Sequence, residues 1–121
     1  MNTPSPKLSI LERARLTLQL ESDAVRQLMT QLNDDFESVV SHLLQFKGRV
    51  IITGIGKSGI IAQKLVATFN STGTPAVFMH AADAIHGDLG LVQKEDVVLC
   101  ISKSGNSPEI KALTPLIHSL G

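Results

Sequence analysis

Cysteine is nearly absent from the sequence, and so is any excess of charge. Cys100 is the only cysteine among 121 residues, which excludes an intrachain disulfide and fits a reducing compartment. Eleven Lys and Arg side chains balance eleven Asp and Glu side chains. Bulk charge therefore attracts neither nucleic acid nor a membrane, and we expect neither as a partner.

A long apolar run is also missing. Residues 1–7 contain two prolines and no stretch long enough for a signal peptide or a membrane span, and we expect a flexible amino terminus there. This absence predicts a cytoplasmic protein. With 43% hydrophobic and 18% charged residues, the whole sequence has the composition of a soluble globular protein, and we assign residues 8–121 to one domain.

Residues 9–46 have the pattern of amphipathic helix. Apolar side chains recur there at spacings of three and four, with one break near residues 33–35. Residues 33–35 (Asn33, Asp34 and Asp35) offer capping oxygens, and Asp34 followed by Glu37 forms a capping-box pattern, which predicts that a second helix starts at the break. Gly48 is expected to end that helix.

Three short apolar runs come next, at residues 49–53, 76–79 and 97–101. They lack alternation, and the first is rich in β-branched residues, which is typical of strands buried on both faces of a parallel sheet. Cys100 lies in the third run and is expected to be a buried, small apolar side chain.

Helical patterns separate and follow these strands, at residues 58–71 and 108–120. Pro108 suits the first turn of the last helix, with Ser107 as its cap and Glu109 near the positive end of its dipole. Strands that alternate with helices predict a three-layer, flavodoxin-like α/β fold with a parallel sheet. Since such sheets have about five strands, we expect this chain to be the amino-terminal portion of the domain, preceded by a helical region.

Ligands of parallel α/β sheets bind outside the carboxyl ends of the strands, where the strand order reverses. That rule selects the three loops at residues 53–58, 80–88 and 102–107. Nearly all polar residues that suggest chemistry fall in one of these loops. We therefore predict a single crevice formed by the three loops.

The first loop resembles two nucleotide-binding motifs without completing either. Gly54, Gly56 and Gly59 match a dinucleotide fingerprint, but the acidic residue that should follow about twenty positions later is missing, since the first acid is Asp83. A Walker A loop would need glycine where Ile51 stands. The remaining interpretations are a phosphate site or a tight strand-to-helix turn.

A phosphate is favoured by backbone N–H groups and the dipole at a helix start, and Lys57 adds a cation there. The third loop places Ser102, Ser104 and Ser107 at another helix start. Capping would use only one of these hydroxyls, which leaves two as donors to phosphate oxygens. Two such loops beside one crevice favour a monophosphate ligand.

The middle loop contains His80 and His86 together with Asp83 and Asp88. A histidine can act as an acid or a base near neutral pH. Zinc is a further interpretation, although no paired-histidine helix motif or cysteine pair accompanies these residues. The other two histidines, His42 and His118, are interpreted as structural.

Four segments together resemble the sugar isomerase (SIS) domain of D-arabinose-5-phosphate isomerases. They are GIGKSG at residues 54–59, STGTP at 71–75, HGDLG at 86–90 and SKSGNS at 102–107. The bacterial enzymes of this family interconvert D-ribulose 5-phosphate and D-arabinose 5-phosphate, which feeds Kdo synthesis for lipopolysaccharide or capsule. The serine loop alone marks the wider SIS class, which includes sugar-sensing regulators.

The resemblance implies catalytic roles for Lys57 and Glu109, and the chemistry of sugar-ring opening adds His86 to the predicted catalytic residues. The resemblance implies no cofactor, a homodimer or homotetramer, and an inhibitory zinc at His80. Gly73 and Thr74 precede the second strand, so they would reach the crevice only from a neighbouring subunit. The substrate-binding residues that it implies are Gly56, Ser58, Gly73, Thr74, His80, His86, Ser102, Lys103, Ser104 and Ser107.

The chain also departs from the family pattern. Asn106 stands where many SIS loops have glutamate, and a further catalytic glutamate and histidine of the family, two strands and the often paired CBS region are not in this sequence. A non-catalytic sugar-phosphate sensor would keep the serine loop but would not need Lys57, His86 and Glu109 together. A purely structural assembly domain is the third interpretation.

Overall fold

The computed structural model describes residues 7–120. Apart from Lys7, the predicted flexible amino terminus lies outside these residues. The chain divides into two compact units, the first ending at Ser41 and the second beginning at His42. Within residues 7–120, no helix has both the length and the hydropathy that crossing a bilayer requires.

The first unit is helical, as predicted. Helix α1 (Ile10–Gln27) begins after a capping box in which the Ser9 hydroxyl accepts the N–H of Glu12 and the Glu12 carboxylate accepts the N–H of Ser9. A 3-10 turn (Leu28–Gln31) continues from α1. The side chains of residues 7–41 are exposed.

The predicted break between the two helices is present, and Asn33, one of the three residues that offer capping oxygens there, provides the cap. Helix α2 (Asp34–Gln45) starts at Asp34, and the Asn33 side-chain oxygen accepts the N–H of Phe36 at 3.2 Å. The predicted capping box at Asp34 and Glu37 is therefore wrong by one position. Asn33 caps as effectively as aspartate, because both side chains present an acceptor oxygen at the same distance from the backbone.

The second unit is built on three parallel strands, each within one residue of its predicted bounds. The middle loop differs from its prediction, since a short helix and a 3-10 turn (Asp88–Leu91) occupy most of it. The remaining elements are β1 (Val50–Gly54), α3 (Lys57–Ser71), β2 (Ala76–His80), α4 (Ala81–Ile85), β3 (Val97–Cys100) and α5 (Pro108–His118).

The strand order is β2-β1-β3, so β1 lies in the middle with a core on each face. Successive strand residues point to opposite faces. Accordingly, Val50 and Ile52 pack in one cluster with Ala62 of α3, whereas Ile51 packs in another with Leu113 of α5. The three-layer arrangement predicted from the sequence is confirmed.

Burial on both faces was predicted for all three strands and holds only for β1. All five residues of β1 are buried, while β3 is half-buried at its start and exposed at Leu99 and Cys100. The prediction that Cys100 is buried is thus wrong, because β3 is the edge strand of the described sheet. Partial burial still raises the pKa of the Cys100 thiol above its usual value.

Candidate functional site

The register of the parallel sheet brings the three predicted loops to one edge. Gly54 at the end of β1 is paired with His80 at the end of β2, and Thr53 is paired with Cys100 at the end of β3. The chain leaves β1 towards β2 on one side and later returns to β3 on the other, so this edge is a topological switch point. The carboxyl ends of the strands therefore carry the candidate site.

The glycines of the first loop have structural reasons to be glycine. A Cβ atom on Gly54 would lie 2.9 Å from the carbonyl carbon and oxygen of Ser58, and one on Gly59 would lie 3.2 Å from the Gly54 oxygen. Gly56, at the start of α3, has a φ of 57°. The tight-turn interpretation thus accounts for the glycines, and evidence for a ligand must come from other residues.

Lys57 is such a residue. It is the first residue of α3, its side chain is exposed, and the first turn of α3 contains no acidic side chain. Within residues 7–120, the only ion pair joins Arg49 to Asp96, so the Lys57 ammonium group has no carboxylate partner there. A cation and the positive end of a helix dipole in one place favour an anion. Ser58, half-buried, follows it in the same turn.

His80 caps α4 with its side chain. Its Nδ1 accepts the N–H of Ala82 at 3.3 Å, and its ring meets the Phe78 ring edge-on with centroids 6.3 Å apart. Because Nδ1 is the acceptor, the neutral ring carries its proton on Nε2. His80 is therefore a half-buried, oriented donor at the edge of the crevice.

His86 lies at the other end of α4 and is exposed. Gly87, which follows it, has a φ of 138° and turns the chain away from the helix. Across residues 7–120, no group of three or more His, Cys, Asp or Glu side chains is arranged to hold a metal ion. A zinc at His80 would thus need ligands from outside the described residues.

The hydroxyls of Ser102 and Ser104 make hydrogen bonds within the serine loop. The Ser102 hydroxyl accepts the N–H of Gly105 at 2.9 Å, and the Ser104 hydroxyl accepts the N–H of Asn106 at 3.1 Å. Ser107 occupies the N-cap position of α5, but its hydroxyl makes no capping bond. The predicted cap at Ser107 is therefore wrong, whereas Ser102 and Ser104 only accept in these bonds and each keeps its O–H as a donor.

Two hydroxyl oxygens beside the crevice are buried without a partner. They belong to Ser107 and to Thr53, and neither has a hydrogen bond within the described residues. A buried polar group without a partner costs about 1–3 kcal/mol, so each of these atoms needs an explanation. Thr53 was not among the predicted site residues, because residue 53 was only the junction between an apolar strand and the first loop. A lone hydroxyl at the end of that strand was the available signal.

The remaining predicted site residues lie at opposite ends of the strands. Glu109 is the second residue of α5 and half-buried, and Lys103 is exposed in the serine loop. Gly73 and Thr74 lie at the opposite edge, before β2, where the N–H of Thr74 donates to the carbonyl oxygen of Phe69 at 2.9 Å. The structure therefore brings all the predicted residues except Gly73 and Thr74 to the carboxyl edge.

The chain is similar in sequence to a known domain family and to two curated enzymes. The sequence model of the SIS domain family matches residues 43–121 of the chain. The chain is 48% identical over 117 residues to arabinose 5-phosphate isomerase KdsD of Pseudomonas aeruginosa, covering 97% of this chain and 36% of that protein. It is 45% identical over 110 residues to arabinose 5-phosphate isomerase GutQ of Escherichia coli K12, covering 91% and 34%. The chain thus spans about a third of the length of these curated relatives.

Solved structures share the fold. A protein of Escherichia coli CFT073, in complex with arabinose 5-phosphate, superposes with a TM-score of 0.84 at 41% identity, covering 94% of this chain and 62% of that one. A structure from Listeria monocytogenes superposes with a TM-score of 0.87 at 36% identity, covering 98% and 62%. These scores extend the similarity from sequence to backbone.

Proposed function

The chain belongs to the SIS domain family, and on this basis we propose that the protein carrying it is an aldose–ketose isomerase. Its substrates are D-ribulose 5-phosphate and D-arabinose 5-phosphate, and its product feeds Kdo synthesis for lipopolysaccharide or capsule. The observation that carries the proposal is the convergence of the Lys57, His86 and Glu109 elements on one sheet edge. The names of the two similar isomerases support it.

The phosphate of the substrate would lie between the starts of α3 and α5. Each start offers backbone N–H groups and the positive end of a helix dipole. Lys57 adds a full charge on one side, and Ser107 adds a shielded hydroxyl on the other. No acidic side chain lies in the first turn of α3, so nothing in that turn repels the phosphate.

The reaction requires ring opening and the transfer of a proton between two adjacent carbons through an enediolate. Lys57 is suited to stabilising the negative charge that develops on oxygen. His86 is exposed and suited to proton exchange with the hydroxyls during ring opening. Glu109, in the first turn of α5, is suited to acting as a base or to orienting a neighbouring group.

Direct measurement of interconversion tests the function. The polypeptide encoded by the complete reading frame is incubated with D-arabinose 5-phosphate, and formation of the ketose is followed by NMR. We expect ribulose 5-phosphate to accumulate to equilibrium, and D-ribose 5-phosphate to react far more slowly. Tight binding of arabinose 5-phosphate without turnover would instead favour the sugar-phosphate sensor. Absence of both binding and turnover would favour the assembly domain.

A homodimer or homotetramer in the cytoplasm belongs to the same proposal. Large apolar side chains of the first unit are exposed, among them Ile10 at 86%, Leu11 at 66% and Met29 at 71%. Exposed apolar surface of this kind commonly marks an interface. Light scattering coupled to size-exclusion chromatography measures the mass in solution, and a monomer at micromolar concentration would contradict the proposed assembly.

A further inference from the structure

Thr53 lies at the end of the central strand, directly before the glycine loop, and its side chain is fully buried. Its Oγ1 atom has no hydrogen-bond partner within the described residues. Nearly all buried hydroxyls have a partner, so an unpaired one beside a binding crevice suggests that the partner is supplied from outside the chain. The first of the three loops begins at Thr53, but neither the predicted site residues nor the proposed mechanism includes it.

The direction of the Thr53 side chain follows from strand geometry. Residues two apart in a strand point to the same face, so Thr53 points to the side of Ile51. Ile51 packs in one cluster with Ile110 and Leu113 of α5. Thr53 lies two residues nearer the carboxyl edge than Ile51, on the face of the sheet that α4 and α5 cover.

The start of α5 contains the second unpaired hydroxyl, that of Ser107. Two shielded hydroxyls thus lie on the same side of the sheet at the same edge, one on the strand and one on the helix. Each can donate one hydrogen bond and accept others. A ligand with several acceptor oxygens, such as a phosphate, would satisfy both donors at once.

We propose that Thr53 is a further ligand-binding residue, whose hydroxyl donates to a phosphate oxygen of the bound sugar phosphate together with that of Ser107. The inference rests on the proposed function, since it takes the sugar phosphate as the ligand. It adds a contact from the end of β1 to the contacts from the starts of α3 and α5. Hydrogen bonds to a charged oxygen are stronger than those between neutral groups, which makes the contact measurable.

Neither unpaired oxygen is open to solvent, so a ligand reaches them only if a neighbouring segment moves, and the serine loop directly precedes Ser107. Residues 103–106 are exposed, and the two side-chain bonds within the loop span only two and three residues. Gly105 has a φ of 68°, a conformation that glycine adopts without strain. We therefore take the serine loop as the segment that moves; a shift there leaves the strand pairing unchanged, because residues 103–106 lie outside β3.

Replacing Thr53 by valine tests the proposal, because valine keeps the shape and removes the hydroxyl. Since the hydroxyl has no partner in the free protein, Thr53→Val is expected to leave the thermal midpoint unchanged or higher. The affinity for arabinose 5-phosphate and for inorganic phosphate is expected to fall about tenfold or more. Thr53→Ser retains the hydroxyl and is expected to bind within about threefold of the wild type.

Thr114→Val is the matched control, because the Thr114 hydroxyl already donates to the carbonyl oxygen of Ile110 at 2.9 Å. We expect this variant to bind both ligands as the wild type does. All variants are made in the polypeptide of the complete reading frame, and binding is measured by calorimetry. If Thr53→Val does not fold, Thr53→Ala is compared with Thr53→Ser, since these two differ only in the hydroxyl.

The outcomes separate this inference from the proposed function. Wild-type affinity in Thr53→Val overturns the inference and leaves the isomerase proposal intact. A loss of thermal stability with unchanged affinity also overturns it, because the hydroxyl would then have a structural partner. If the wild type binds inorganic phosphate but not arabinose 5-phosphate, the proposed substrate is wrong. Binding of inorganic phosphate to the Thr53 variants then still tests the role of Thr53. Binding of neither ligand overturns both.

Discussion

The carboxylate of Asp96 accepts three hydrogen bonds from Arg49. The backbone N–H donates at 2.9 Å, Nε at 3.3 Å and Nη2 at 2.8 Å. The N–H of Gln93 donates to the same carboxylate, and Nη2 of Arg49 also donates to the carbonyl oxygen of Leu91. The pair therefore joins the start of β1 to the start of β3 and to the segment that returns from the candidate site.

Asp96→Asn is expected to destabilise the protein. The Asp96 side chain is only 2% exposed, so removing its charge weakens bonds that water cannot replace. Loss of charge-assisted bonds of this kind costs about 2 kcal/mol of unfolding free energy. Urea denaturation measures the effect, and Glu95→Gln, which removes an exposed neighbouring charge, serves as the control. Equal midpoints for the two variants would mean that the pair adds no stability.

The same pair predicts how stability changes with pH. Hydrogen bonds from Arg49 lower the pKa of Asp96 from 3.8 to about 2. A carboxylate with a depressed folded-state pKa stabilises the protein above its unfolded pKa, and this contribution is lost as the pH falls through the folded one. The stability difference between wild type and Asp96→Asn should thus be full above about pH 5 and shrink towards about pH 2. A difference that stays constant across this range would assign the loss to something other than the Asp96 charge.

Gly54→Ala is expected to strain the turn that carries Lys57. The added Cβ would lie 2.9 Å from the backbone of Ser58, and backbone atoms cannot rotate away as a side chain can. Overpacking of this kind costs about 1–3 kcal/mol. Gly90→Ala is the control, since nothing lies within 4 Å of a Cβ there. Thermal unfolding compares the two, and an equal midpoint for both would show that the turn relaxes at no cost.

The features that depend on residues close together in the sequence were predictable. Because β1 is buried on both faces, its sequence is an apolar run that predicts a strand. Pro108 predicted the start of α5 within one residue. Cys100 was placed wrongly because burial of an edge strand depends on which neighbours it has. The Arg49–Asp96 pair spans 47 positions, so no short motif could reveal it.

The site was predictable in outline and not in its hydrogen bonds. Parallel topology alone places the ends of all three strands at one edge, which is why the three loops were found together. Which hydroxyls form hydrogen bonds in a turn depends on backbone geometry that a sequence pattern does not determine. The missing cap at Ser107 and the turn bonds of Ser102 and Ser104 were therefore not predicted, and neither was the unpaired hydroxyl of Thr53.

His80 is expected to have separable structural and functional roles. Its Nδ1 caps α4 through the N–H of Ala82, and an asparagine oxygen can accept the same bond. His80→Asn should therefore retain thermal stability, whereas His80→Ala should lose about 1 kcal/mol. Both remove the Nε2–H donor, and both should raise the KM for arabinose 5-phosphate. An unchanged KM in the asparagine variant would limit His80 to capping.

Lys57→Ala is expected to abolish isomerisation without unfolding the protein. Lys57 is exposed and makes no ion pair within the described residues, so its removal breaks no contact that stabilises the fold. A cation that stabilises charge developing on oxygen contributes about 10²–10³-fold to kcat. Lys64→Ala removes an exposed lysine from the same helix and controls for the loss of surface charge.

Whether Lys57→Ala changes kcat or KM identifies what Lys57 does. If the ammonium group stabilises the enediolate, kcat falls and the affinity for inorganic phosphate changes little, because the group then acts mainly in the transition state. If it binds the phosphate instead, KM rises and phosphate affinity falls with it. Turnover equal to that of Lys64→Ala would remove Lys57 from the mechanism and leave the serine loop and Thr53 as the phosphate site.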